Sequence, residues 1–158
     1  MTTTPIRTPH TVPRRADVMS ERFKVVARCD DAEPRAEDAC RVGVMRRITA
    51  ARLRYCGLQA MTDEVTLIVS ELLTNAVLHS GTTEISLNVA VRDDFLHIAV
   101  RDGMPGRAES APAGETAESG RGLTLIEALV KEHGGTWGTG DAGATTWCLL
   151  AVPAGVRQ

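Results

Sequence analysis

Between Thr62 and His79 the chain carries Val65, Ile68, Val69, Leu72, Leu73, Ala76 and Val77, a wide apolar stripe at helical spacing. Thr62 suits the cap of such a helix, and Asp63 and Glu64 complement the positive end of its dipole, so the pattern predicts one helix over residues 62–79. Glu71, Asn75 and His79 stand against the stripe at i, i+4 and i+8, which sets three polar side chains in one row along a mostly buried helix. An unpaired carboxylate on such a helix costs several kcal/mol to bury and implies a partner such as a cation or water, whereas His79, at the helix end, reads as a packed, hydrogen-bonded residue.

The flanking segments fix the fold class. Glu21 to Arg28 alternates Phe23, Val25 and Ala27 with charged residues, as a half-buried strand does. Pro34 to Tyr55 reads as a helix stopped at Gly57, with Arg35, Arg41, Arg46, Arg47, Arg52 and Arg54 on a solvated face. Glu84 to Val91 and Phe95 to Asp102 make a hairpin, Leu123 to His133 a helix ended by Gly134-Gly135, and Gly135 to Thr139 with Thr145 to Val152 a second hairpin. Trp137 and Trp147 read as core. Strands linked mostly as hairpins, without βαβα alternation, predict an α/β two-layer sandwich: a mixed, mainly antiparallel sheet with helices on one face.

A chain of 158 residues is one domain's worth, and residues 1–20, with Pro5, Pro9 and Pro13 and little to bury, are expected to be a flexible leader ahead of a domain over 21–158. His10 lies in that leader and supports no site. The net charge of −2 excludes the strongly basic class of nucleic-acid binder. It conceals a split: residues 1–54 hold 12 Lys+Arg against 7 Asp+Glu, and residues 55–158 hold 6 against 13. That split fits a basic face for an acidic partner or phosphate and equally a basic tail with a solvated helix. Cys29, Cys40, Cys56 and Cys148 show no C-x-x-C pair and are read as free thiols. Without an apolar export segment or an 18-residue apolar run, the expectation is a cytoplasmic protein that makes no membrane contact and binds no nucleic acid directly.

Three further signals carry chemistry jointly. Glu71 and Asn75 share a helix, Asp102 ends a strand and opens Gly103-Met104-Pro105-Gly106, and Gly120-Arg121-Gly122 directly precedes the helix expected at Leu123. Bare amides at a helix N-terminus suit phosphate, although many such turns bind nothing. An acid after a strand more often caps a turn than holds a ligand. Residues 103–122, rich in Gly and with two Pro, form a loop of the length that is usually functional inside a domain.

The run VSELLTNAVLHS (Val69 to Ser80), the Asp102 loop, GRGLTLIEAL (Gly120 to Leu129) and the terminal Thr-Thr-Trp strand together resemble the anti-sigma-factor serine kinases of the histidine-kinase-like, or GHKL, ATPase superfamily, over about residues 21–152. The resemblance implies ATP and Mg2+ as ligands, with Asn75 on the metal that bridges the phosphates and Glu71 as general base or water-orienting group. It implies that Asp102 accepts a hydrogen bond from the adenine amine, that Gly106 lets the backbone approach the base, and that Gly120 and Gly122 offer amides to phosphate. Residues 107–119 would be the ATP lid, Arg121 a phosphate contact, and Thr145 or Thr146 a hydroxyl near the adenine. Met104 departs from the superfamily's usual Asp-x-Gly-x-Gly box, and with no phosphoacceptor-histidine helix readable ahead of the module in this sequence, a sensor kinase that phosphorylates its own histidine is not expected. The implied function is an anti-sigma factor that binds a sigma factor and phosphorylates a serine or threonine of an antagonist protein, so regulating transcription. A homodimer, a non-catalytic partner-switching module of the same fold, and a domain without nucleotide stay open as alternatives.

Overall fold

The computed structural model describes residues 15–25, 36–79, 83–102, 117–141 and 144–153, and the side chains of 15, 16, 79 and 117–123 fall outside that description. In chain order the elements are β1 (Arg15–Lys24), α1 (Ala36–Tyr55), a single 3-10 turn (Gln59–Met61), α2 (Thr62–His79), β2 (Glu84–Arg92), β3 (Phe95–Arg101), α3 (Ala117–Glu132), β4 (Thr136–Gly140) and β5 (Thr145–Ala151). The strands form a five-stranded sheet in the order β1-β2-β3-β5-β4. Every pairing among them is antiparallel, so no parallel neighbours occur among the described strands and the sheet is the mainly antiparallel one the sequence predicts.

Side-chain alternation puts one sheet face inward. Ile85, Leu87, Val89 and Val91 of β2, Leu96, Ile98 and Val100 of β3, and Cys148 and Leu150 of β5 are buried beneath the helices. They meet Met45 and Leu53 of α1, the whole α2 stripe from Val65 to Val77, and Ile126 and Val130 of α3. Each fully buried Leu or Ile contributes roughly 1.5–3 kcal/mol, which makes the α2 stripe the main attachment of the helical layer. Thr49, fully buried in α1, donates to the Met45 carbonyl at 2.7 Å and meets Met19 Sδ of β1 at 3.1 Å, so its hydroxyl is satisfied where α1 crosses the sheet. On the outward side of α1, Arg41, Arg46, Arg47, Arg52 and Arg54 are exposed, the solvated face expected of them.

Helix ends follow from glycine. Gly57 has φ 78° and Gly134 φ 64°, and each is followed by the amide pair of a Schellman cap: Leu58 N–H to Leu53 O at 2.7 Å after α1, Gly135 N–H to Val130 O at 2.6 Å after α3. Only a residue without Cβ takes that left-handed turn cheaply.

Several boundaries differ from the sequence expectation. β1 begins at Arg15, inside the stretch assigned to the leader, because residues 15–24 gain a full ladder against Glu84–Arg92. A bulge between Asp17 and Met19 lets both Val18 and Met19 turn inward, which breaks the alternation a strand would announce. α3 begins at Ala117 rather than Leu123, since Ala117 and Glu118 are good helix formers that the neighbouring glycines disguise. Trp137 packs against the core as expected. Trp147 does not: its register partner is Gly138 on the opposite sheet face, where a Cβ on Gly138 would stand 2.7 Å from the indole.

Candidate functional site

The strand register and the helix directions bring distant parts of the sequence to one end of the sheet. Ser86 near the start of β2 pairs with Arg101 at the end of β3, and Arg101 pairs in turn with Thr145 at the start of β5. The C-terminal end of α2, four residues before Glu84, therefore lies at the same end as Asp102 and Thr145. β3 and β4 are both antiparallel to β5 and so run the same way, which makes α3 a return helix antiparallel to them. Its start joins the same end.

α2 and α3 are joined by a side-chain contact at their other ends, where His133 Nε2 lies 3.7 Å from Glu64 Oε1. Glu64, Glu71 and Asn75 are related by i, i+7 and i+11, so all three fall on the edge of α2 that faces α3. Eleven residues from Glu64 to Asn75 and the same count back from His133 each span about 16 Å, which brings Asn75 level with residues 120–122.

Glu71 and Asn75 are half-buried, not enclosed in the core as the sequence implied. Their row borders the apolar stripe at the edge of the α2–α3 seam, where solvent or a ligand reaches them, so the full cost of burying an unpaired carboxylate does not arise. Asp102 continues the inward series of Leu96, Ile98 and Val100, is half-buried, and its N–H donates to the Ala144 carbonyl at 2.9 Å. The two threonines separate by register. Thr146 opposes Val100 on the inward side, whereas Thr145 opposes Arg101 on the outward side and donates from Oγ1 to Asp141 Oδ2 at 2.8 Å. Thr146 is thus the hydroxyl on the groove side.

Gly120 and Gly122 lie within the first two turns of α3 rather than ahead of it. A helix starting at Ala117 leaves the amides of its first turn, residues 117–119, without intrahelical acceptors, whereas Gly120 and Gly122 fall where the ladder begins. Of the lid expected over 107–119, residues 117–119 are helical, and 107–116 lie outside the described residues. Gly106 and Met104 lie outside them too, as do the side chains of Arg121 and His79. Sequence reasoning missed Asp141, which holds φ 51° and shares its carboxylate with Thr145; an acid followed by Ala-Gly-Ala in a hairpin connection was the available signal.

Of the four cysteines, Cys29 lies outside the described residues. Among the described residues Cys40, Cys56 and Cys148 are free thiols, and burial pushes the Cys148 thiol up to about 12, which keeps it protonated. Among the described residues no helix is long and apolar enough to cross a membrane.

Residues 35–148 match the family model of the histidine kinase-like ATPase domain. Over 101 residues the chain is 32% identical to a protein named anti-sigma F factor from Geobacillus stearothermophilus, covering 54% of this chain and 68% of that one.

Proposed function

The chain belongs to the histidine kinase-like ATPase domain family, and on that premise we propose that it is an ATP-binding anti-sigma factor that phosphorylates a serine or threonine of an antagonist protein. The observation that carries this reading is the gathering of Glu71, Asn75, Asp102, Thr146 and the first turn of α3 at one end of the sheet. Phosphoryl transfer asks little covalent chemistry of a protein and is served by positioning and charge neutralisation. The amides of the first turn of α3 are placed to meet phosphate with the helix dipole behind them, and Gly120 and Gly122 leave the approach free of side chains.

The Asn75 side-chain oxygen is a hard donor of the kind Mg2+ takes, and that ion draws its remaining ligands from phosphates and water rather than from a protein cage. Mg2+, held by Asn75, would supply charge neutralisation of the phosphates. Glu71, one turn from Asn75, is placed to take the proton of an acceptor hydroxyl or to orient it. Asp102 is the acceptor for the adenine amine, with Thr146 beside it. The partners are a sigma factor and its antagonist, in the cytoplasm.

Calorimetric titration of the chain with ATP and ADP, with and without Mg2+, tests the binding half. Expected are binding that Mg2+ strengthens and a loss in Asp102→Asn of about tenfold or more, the worth of a hydrogen bond to a charged group. Folded wild-type protein that binds no ATP at millimolar nucleotide would remove the reading. Labelled ATP with candidate antagonists tests the second half. Protein that binds ATP and both partners yet transfers no phosphate is the non-catalytic module instead.

A further inference from the structure

The β4–β5 connection supplies an anchor for Asp102 that lies outside the nucleotide groove. Asp141 adopts φ 51°, a left-handed conformation, and its backbone carbonyl accepts the Ala144 N–H at 3.1 Å. Its carboxylate accepts the Thr145 hydroxyl at 2.8 Å. Thr145 sits where three strands meet, opposite Arg101 of β3 on one side and Gly140 of β4 on the other. Ala144, 4% exposed, is fixed between these two contacts, and its carbonyl is the acceptor for the Asp102 N–H. The chain of bonds runs from the Asp141 carboxylate, through the turn, to the backbone that carries the Asp102 carboxylate.

We infer that Asp141 is a positioning residue for base recognition, which holds Asp102 at the distance an exocyclic purine amine requires by pinning the turn whose Ala144 carbonyl binds the Asp102 N–H. The inference rests on the ATP reading of the groove. The Asp141 carboxylate itself is engaged by Thr145 on the outward face, away from the inward side that carries Asp102 and Thr146. Its effect is therefore on selectivity for the base. A purine with a carbonyl in place of the amine sets an acceptor, not a donor, against the Asp102 carboxylate at that position, so loosening the turn should cost ATP and leave the other nucleotide largely as it was.

The test measures dissociation constants of the full chain for ATP and ITP by calorimetry, with the thermal midpoint recorded for each variant. Asp141→Gly keeps the left-handed backbone and removes the acceptor; Thr145→Val removes the donor and keeps a strand-favouring shape. Each is expected to weaken ATP by about three- to tenfold, the usual worth of one hydrogen bond, with ITP changed far less. The double variant should lose no more than either single one, because both break the same bond. Asp141→Asn, which tolerates the backbone and retains an acceptor oxygen, should behave as wild type. In an Asp102→Asn background Asp141→Gly should have no further effect on ATP. Equal losses for ATP and ITP, or unchanged ATP binding in both single variants, overturn the inference. Wild-type protein that binds ATP no better than ITP refutes the adenine reading of the groove itself, and the inference falls with it.

Discussion

At the end of the sheet where β2 turns into β3, two residues make the connection and the neighbouring pieces are bonded to it. Val152 N–H reaches the Asp94 carbonyl at 2.9 Å, Ala151 N–H reaches the His133 carbonyl at 3.1 Å, and the Glu64–His133 pair joins α2 to α3. At the opposite end the chain passes from α2 to β2 over residues 80–83, from β3 to α3 over 102–116 and from β4 to β5 over 141–144. One end is closed by its own backbone; the other presents half-buried polar side chains on rigid elements. That division of labour is what ligand binding asks of a scaffold.

If the comparison holds, substitutions at the two ends should separate activity from stability. The largest effect belongs to the open end. Glu71→Gln keeps the shape and half-burial of the side chain and removes its basicity, so phosphate transfer to an antagonist should fall by about 10²-fold or more, or roughly 2.7 kcal/mol of barrier. ATP affinity and the urea midpoint should stay near wild type. A drop in the urea midpoint with transfer intact would mean that Glu71 belongs to the scaffold and that the open end has been misjudged.

The same contrast explains what the sequence could disclose. α2 was legible at both ends because a cap, an acidic first turn and an unbroken apolar stripe all point to Thr62–His79. The hairpins were legible because Glu84–Arg92 and Phe95–Arg101 alternate around a two-residue connection. Where tertiary pairing decides, the pattern is silent. Arg15–Ser20 has no strand signature of its own and becomes one by pairing with β2, with the bulge at Val18 masking its register. Ala117 to Gly120 reads as loop because its glycine and serine conceal a helix start. At the site, the residue types Glu71, Asn75 and Asp102 were readable, but their half-burial and the choice of Thr146 over Thr145 depend on which strand lies opposite. The Asp141–Thr145 bond depends on a left-handed residue that no periodicity marks.

A smaller effect is expected at the closed end, and it is a gain. Asp93 and Asp94 occupy the two central positions of the hairpin with φ 50° and 70°, the geometry of a turn that favours glycine at its second position. Left-handed strain costs a non-glycine residue about 1–2 kcal/mol, while glycine loses about 0.5–1 kcal/mol in chain entropy and a half-exposed side-chain contact is worth little. Asp94→Gly should therefore stabilise by about 0.5 kcal/mol, leaving the carbonyl bonded to Val152 in place and ATP binding untouched. Urea unfolding measures it. A loss of stability would mean that the Asp94 side chain outweighs its backbone strain and that the closed end is held by more than its main chain.

The smallest effect is a pH dependence at the same end. His97 stands on the outward sheet face opposite Ala90 and Leu149, and burial, with the nearby Arg92 charge, holds its pKa below the usual value, against a weaker upward pull from a hydrogen bond with the Arg92 backbone and from Asp93. A lowered pKa in the folded chain means that the unfolded chain takes up the proton first as pH falls. Stability from this group is thus complete above the unfolded value near about 6.5 and is lost as acid carries the protein down through the folded pKa. Removing the titrating ring in His97→Gln should flatten the stability profile below about pH 6.5 while leaving the neutral-pH midpoint almost where it was. Urea midpoints of the two proteins across that range decide it: parallel profiles would show that the acid sensitivity of the closed end lies in other groups, and a steeper wild-type slope would place it on this one histidine, far from the groove where Glu71 and Asp102 work.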